Sequence, residues 1–173
     1  MARETIVRCS RGERLPVFRP NSSRLNEPYG VFVTLKKSDE LRGCIGYVEA
    51  IKPLSQAIPL MAHAAAFEDP RFPPVQSDEV ADLDIEVTIL SPLRKISSIE
   101  EIEIGRHGLM VKQGLRQGLL LPQVAVEEDW DRETFLRHTC LKAGLSPDDY
   151  RKQSVDIYIF EGLIIREKDR KKI

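Results

Sequence analysis

The residues with the most chemical potential in this sequence stand in Leu41-Arg42-Gly43-Cys44-Ile45-Gly46, where a thiol lies between two glycines and two positions after a guanidinium. The surrounding stretch, Leu41 to Val48, reads as a β-strand. Glycine weakens a strand interior because it has no side chain to pack and more backbone entropy to lose. Two glycines around a Cys-Ile pair therefore point to a bulge, or to a surface that another backbone or a ligand approaches closely. Strand alternation puts Arg42 and Cys44 on one face, and a neighbouring arginine favours thiolate over thiol. That is the setting of a nucleophile. A free cysteine serves equally often as a small buried hydrophobe, so both readings of Cys44 stay open.

A nucleophilic thiol needs a base, and His107, between Gly105 and Gly108, is the candidate. The plainer role for His107 is to fill a hairpin position that tolerates unusual backbone angles. Asp84 and Glu86 share the polar face of an alternating strand, so either is placed to orient His107 or to pair with Arg42; a solvated sheet face accounts for them as well. Asp69 and Arg71, in Asp69-Pro70-Arg71-Phe72, are suited to an ion pair bracing a site. Arg42 favours an anionic ligand beside it. His63 lies on an alanine-rich helix and His138 on a surface helix. Cys44, His107 and Glu86 come from separate strands without local ligand spacing, so no metal site is expected.

The elements that must position these groups follow from pattern. Gly30–Leu35 and Leu41–Val48 form a hairpin across the polar Lys36–Glu40 loop. Residues 53–67 form a helix in which Ala62, Ala64, Ala65 and Ala66 make a narrow face for close packing, with Pro59 expected to kink it. Residues 83–90 alternate apolar and polar. Strands are expected over 108–112, 118–124 (with the apolar pattern reaching Val126) and 155–163, and a helix over 131–143 with Asp131 as N-cap and Gly144 closing it. The first ten residues read as a helix starting without a cap, which suggests missing N-terminal residues. Residues 13–29 are a proline-rich irregular lead-in of the kind that covers a surface. With no repeat or linker, residues 1–173 read as a single domain of α+β class, a mostly antiparallel sheet with flanking helices.

Composition bounds the function. A chain that is 42% hydrophobic and 31% charged builds a globular core, and a net charge of −1 gives no general grip on nucleic acid. Residues 68–104 are acid-rich, while the tail from Arg166 is basic and reads as a solvated terminus. The three cysteines, Cys9, Cys44 and Cys140, are odd in number and widely spaced, which argues for unpaired thiols in a reducing compartment. No apolar run is long enough to span a bilayer and no signal-peptide pattern opens the chain. A cytoplasmic protein without membrane or nucleic-acid partner is expected.

Four blocks together resemble the AMMECR domain family, named for a chromosomal region linked to Alport syndrome, midface hypoplasia and elliptocytosis. They are residues 30–35 with Leu41–Gly46; Ala64-Ala65-Ala66-Phe67-Glu68-Asp69-Pro70-Arg71-Phe72-Pro73-Pro74; Leu83-Asp84-Ile85-Glu86-Val87; and Ile104–Leu109 with Leu120-Leu121-Pro122-Gln123-Val124-Ala125. The resemblance covers nearly the whole chain, departing at Pro59 and in the short first helix. It implies two lobes around a cleft lined by Leu41–Gly46, but no established reaction and no known cofactor. It also implies a shared pathway with a Memo-like protein of dioxygenase-type fold and a radical S-adenosylmethionine protein, to which some relatives are linked or fused.

Two functions therefore compete. One is a thiol enzyme for group transfer or hydrolysis, with Cys44 as nucleophile, His107 as its base and Glu86 as orienter. The other is a module that binds a small ligand or a partner protein through Arg42, Gly43, Gly46, Asp84, Asp69 and Arg71, with Cys44 only packed.

Overall fold

Apolar residues in β1 (Gly30–Lys37) alternate inward at Val31, Val33 and Leu35, all fully buried, and this spacing organises the first of two compact units in a computed structural model of the chain. The structure describes residues 1–20 and 22–172. Asn21 of the proline-rich lead-in, the side chains of Arg170, Lys171 and Lys172 and the whole of Ile173 in the basic tail lie outside the described residues. The fold is α+β, with antiparallel strands and flanking helices.

The first unit comprises residues 1–90 and the stretch from Leu163 onward. Helix α1 (Ala2–Cys9) buries Ala2, Thr5 and Ile6. Its Arg3 donates to the carbonyls of Val80 and Leu83 and pairs with Glu167. Strand β1 lies between β2 (Glu40–Tyr47) and β3 (Leu83–Leu90). The hairpin is tighter than the sequence suggested. Both strands extend to a turn at Ser38 and Asp39, whose φ values of 53° and 65° suit a two-residue turn matched to strand twist.

Helix α2 (Leu54–Phe67) covers β1 and β2 with its alanine face; Ala57, Ala62, Ala65 and Ala66 are buried. Its helical run continues through Pro59, and Pro53 stands at the N-cap. The loop that follows returns through the hydrogen bond from Val75 N to Ala66 O, 2.8 Å.

The second unit, residues 91–162, has its own core of Ile102, Leu109, Val111, Phe135, Leu136 and Cys140. A two-residue strand, β4 (Arg94–Lys95), pairs with β7 (Asp156–Arg166), whose last residues belong to the first unit. Strand β5 (His107–Gln113) pairs with β7 on one side and with β6 (Arg116–Leu120) on the other. The strand expected to run to Val126 stops at Leu120 and the chain enters α3 (Pro122–Glu127). The apolar run there suits either state, but Pro122 at the first helical position has the fixed φ a helix start needs and lacks only an N–H that would be unpaired anyway. Helix α4 (Arg132–Lys142) starts where Asp131 accepts from Thr134 N at 2.8 Å. The three cysteines are unpaired, and burial pushes the thiols of Cys9 and Cys140 up.

The hairpin and α2 meet most closely at Gly43, where an added Cβ would lie 2.1 Å from Ala65 O. Gly43→Ala should cost about 1–3 kcal/mol in urea unfolding, because backbone rather than a movable side chain is in the way. Val17→Ala, at a side chain 94% exposed, should stay within about 0.5 kcal/mol.

Candidate functional site

The glycines of Leu41–Gly46 belong to an irregular strand, as their number suggested. Leu35 pairs with Gly43 but Lys36 pairs with Leu41, so Arg42 is an extra residue, a bulge in β2. The bulge has a consequence that simple alternation misses. Leu41, opposite Lys36, shares the face of Thr34 and Cys44, and the alternation that would carry Arg42 there is interrupted at Arg42 itself. Its guanidinium is committed to Glu79, with Nη2 2.6 Å from Oε1 and Nε 3.2 Å from Oε2. Glu79 also takes Lys37 Nζ at 3.3 Å and Gln76 N at 3.0 Å. The Arg42 bond above all holds its carboxyl down at about 2.

The arginine that reaches Cys44 is Arg71. Its Nη2 donates to Cys44 O at 3.1 Å, while Asp69 Oδ2 accepts from Cys44 N at 2.9 Å. Asp69 and Arg71 are joined side by side, Nε to Oδ1 at 2.9 Å and Nη2 to Oδ2 at 2.7 Å, the strong forked form of the interaction. Arg71 N closes the loop onto Oδ1 at 3.1 Å. Both peptide groups of Cys44 thus point away from β1 into this clamp. The Thr34–Cys44 pair is therefore of the non-hydrogen-bonded kind, in which cross-strand side chains approach most closely. In keeping with that, the half-buried Cys44 thiol sits 3.2 Å from Thr34 Oγ1.

Asp69 is 4% exposed, and the bonds it accepts, those of Arg71 foremost, hold its carboxyl far below the usual carboxylate range. Arg71 is different: its side chain is 53% exposed. Its Nη1 has no hydrogen-bond partner among the described residues, and the guanidinium lies 5.5 Å from the Phe72 ring centre. Gly46 stands beside Phe32, whose ring an added Cβ would meet at 2.4 Å.

The remaining sequence candidates have partners elsewhere. Glu86 accepts from Arg166 at 2.9 Å and Asp84 from Lys168 at 3.0 Å, both within the first unit. His107 belongs to the second unit and is buried, its Nδ1 accepting from Glu103 N at 3.1 Å. His63 lies 3.2 Å from Glu68, and His138 stacks on Trp130 at 3.9 Å. No group of three or more His, Cys, Asp or Glu among the described residues is arranged to hold a metal ion. No described helix is long and apolar enough to cross a membrane. Sequence reasoning put Arg42 beside the thiol and missed Thr34, Glu79 and the direct bonds of Asp69 and Arg71 to the Cys44 peptide. The bulge was signalled by the glycines; the partners at distances of 25 and 27 residues were not.

The sequence pattern of the AMMECR1 family matches residues 1–165. A protein of Methanopyrus kandleri is 48% identical over 178 residues, covering 98% of this chain and 86% of its own. One of Nanoarchaeum equitans is 42% identical over 174 residues, covering 96% of this chain and 97% of its own. The crystal structure of an uncharacterized protein from Pyrococcus horikoshii matches with a TM-score of 0.87 at 40% identity, over 96% of this chain and 88% of that one.

A carboxyl whose folded pKa lies below its unfolded value of about 4 stabilises the fold above that value and loses its effect as pH falls through the folded one. Asp69 and Glu79 both act in this sense. Asp69→Asn should lower stability at pH 7 by roughly 1–3 kcal/mol, since a buried amide group replaces a charge-assisted acceptor. It should also flatten the loss of wild-type stability between about pH 5 and pH 2, measured by urea titration at each pH.

Proposed function

This chain belongs to the AMMECR1 family, and we propose that it is a binding module in which Arg71, held on the Cys44 peptide, grips a carboxylate or phosphate group of a small ligand. The observation that carries the reading is the division of labour within the Asp69–Arg71 pair. One edge of the guanidinium is fixed by a buried carboxylate, and the Nη1 edge of this half-exposed side chain has its donors unpaired among the described residues. A planar fork held in place loses little conformational freedom on binding, and that favours an anion of matching shape. Thr34 Oγ1 on β1 and the Cys44 thiol on β2 supply weaker polar contacts on the outer face of the hairpin.

The thiol-enzyme reading has less support. The hydrogen-bond partner of the thiol is a threonine hydroxyl, which is no base at neutral pH. The two groups that reading needs are otherwise engaged, His107 by a backbone N–H and Glu86 by Arg166. Work alongside a Memo-like or radical S-adenosylmethionine protein fits a module whose own site carries out no bond-making step.

Two measurements separate the readings. In the first, inorganic phosphate and citrate are titrated into 15N-labelled protein. Saturable shifts of the Cys44, Arg71 and Phe72 amides are expected, weakened about tenfold or more by Arg71→Ala and little affected by Cys44→Ser. In the second, iodoacetamide should label Cys44 in the folded protein before Cys140, at a rate that His107→Ala leaves unchanged. A rate that falls with His107→Ala would restore the thiol enzyme. Anion shifts that ignore Arg71→Ala would remove the binding site.

A further inference from the structure

His107, which the site above does not use, is 5% exposed and lines a polar cavity of about 470 Å3 lying wholly within the second unit. The strand register assembles the site. His107 on β5 stands directly opposite Glu161 on β7, and Arg94 on β4 stands opposite Ile159. Partners and residues two apart share a face, so Arg94, His107 and Glu161 project from the same side of this sheet. Ser91 fixes the corner, its amide donating to Glu161 O at 2.8 Å and its hydroxyl accepting from Glu161 N at 2.9 Å.

The electrostatics of the lining divide in two. Arg106 is bracketed by two carboxylates, Nη1 3.1 Å from Glu103 and Nη2 3.0 Å from Glu161, which leaves an excess of one negative charge at that end. Arg94 is balanced by Glu101 through Nη1 at 2.5 Å; its Nε and Nη2 have no partner among the described residues. The His107 ring adds a directed donor. Its Nδ1 accepts a backbone N–H, so the proton of the neutral ring sits on Nε2, which has no partner among the described residues. Pro92 and Ile159 supply apolar wall.

We propose that this cavity binds a free α-amino acid with an apolar side chain. The ammonium lies against Glu103 and Glu161, the carboxylate takes the N–H groups of His107 and Arg94, and the side chain rests on the apolar wall. The volume falls in the range of small-molecule sites. The mixed lining discriminates by charge: a simple anion meets an excess of carboxylates, and a simple amine leaves the Arg94 and His107 donors unused. Because Arg94, Arg106, Glu103 and Glu161 of the rim are about half exposed, binding is modest in strength.

The test is a titration of the 15N-labelled full chain with L-leucine, with 4-methylpentanoate, which lacks its ammonium, and with 3-methylbutylamine, which lacks its carboxylate. Saturable shifts of the Arg94, His107 and Glu161 amides are expected with L-leucine, at least about tenfold tighter than with either analogue. The exposed rim carries the mutational arm: Glu161→Gln and Arg94→Gln should each weaken L-leucine by about 3- to 10-fold. Arg71→Ala, in the other unit, should leave it unchanged, so this site and the Arg71 site stand or fall separately. The proposal is overturned by an absence of saturable shifts, by either analogue binding as tightly as L-leucine, or by binding indifferent to both rim variants.

Discussion

The first unit depends on how closely β2 can approach α2. At Gly43 the strand backbone comes so near Ala65 O that there is no room for a Cβ, and the helix answers with alanines rather than larger side chains. The approach costs packing area, since neither glycine nor alanine buries much apolar surface. What it gains is reach. The chain leaves α2 at Glu68, right beside the free edge of β2, and Asp69 and Arg71 arrive where the outward peptide groups of Cys44 would otherwise be unpaired. An exposed strand edge is a template for unwanted pairing, and covering it with a loop and a charged pair removes that hazard.

The bulge at Arg42 belongs to the same arrangement. An extra residue in β2 resets which side chains face outward: Leu41 and Cys44 share one face, and Arg42 is released to bind Glu79. Glu79 in turn gathers Lys37 from β1 and the Gln76 amide from the loop ahead of β3. The hairpin is therefore pinned at two places along its length, by Glu79 at the bulge and by Asp69 beyond it. Both pins are carboxylates with depressed pKa values, which ties the order of this face to pH in the same direction at both.

Much of this was legible in the sequence, for identifiable reasons. The alternation at Leu83, Ile85, Val87 and Ile89, the alanine run in α2 and the Asp131 cap are local patterns, and the elements follow them. The end of β6 is hidden in the sequence because Leu119–Val126 is apolar except at Gln123, and only Pro122 marks the helix start. At the site, Gly43 and Gly46 announced a bulge or a close approach, and both are present. The sequence could not say which arginine meets Cys44. Arg42 is near in sequence and Arg71 is far, but the choice is made by a one-residue shift in register and by where a helix 14 residues long delivers its following loop. Neither is a property of any short window.

The two histidine and cysteine positions that invited a catalytic pairing show why residue type alone is a weak guide. Histidine and cysteine are chemically versatile, so any pair of them suggests a nucleophile and its base. Geometry asks a narrower question, namely which lone pairs and protons are still free. His107 has given its Nδ1 to the Glu103 amide, and the Cys44 thiol lies against a hydroxyl. What remains unspent is the Nη1 edge of Arg71 on the clamp and, among the histidine and cysteine groups named here, the Nε2 proton of His107 in the second unit. Both are donors held by buried or backbone partners, and a fixed donor is an instrument for recognising an acceptor. Proton abstraction needs an acceptor instead. The free donors on Arg71 and His107 therefore suit recognition of an acceptor better than proton abstraction.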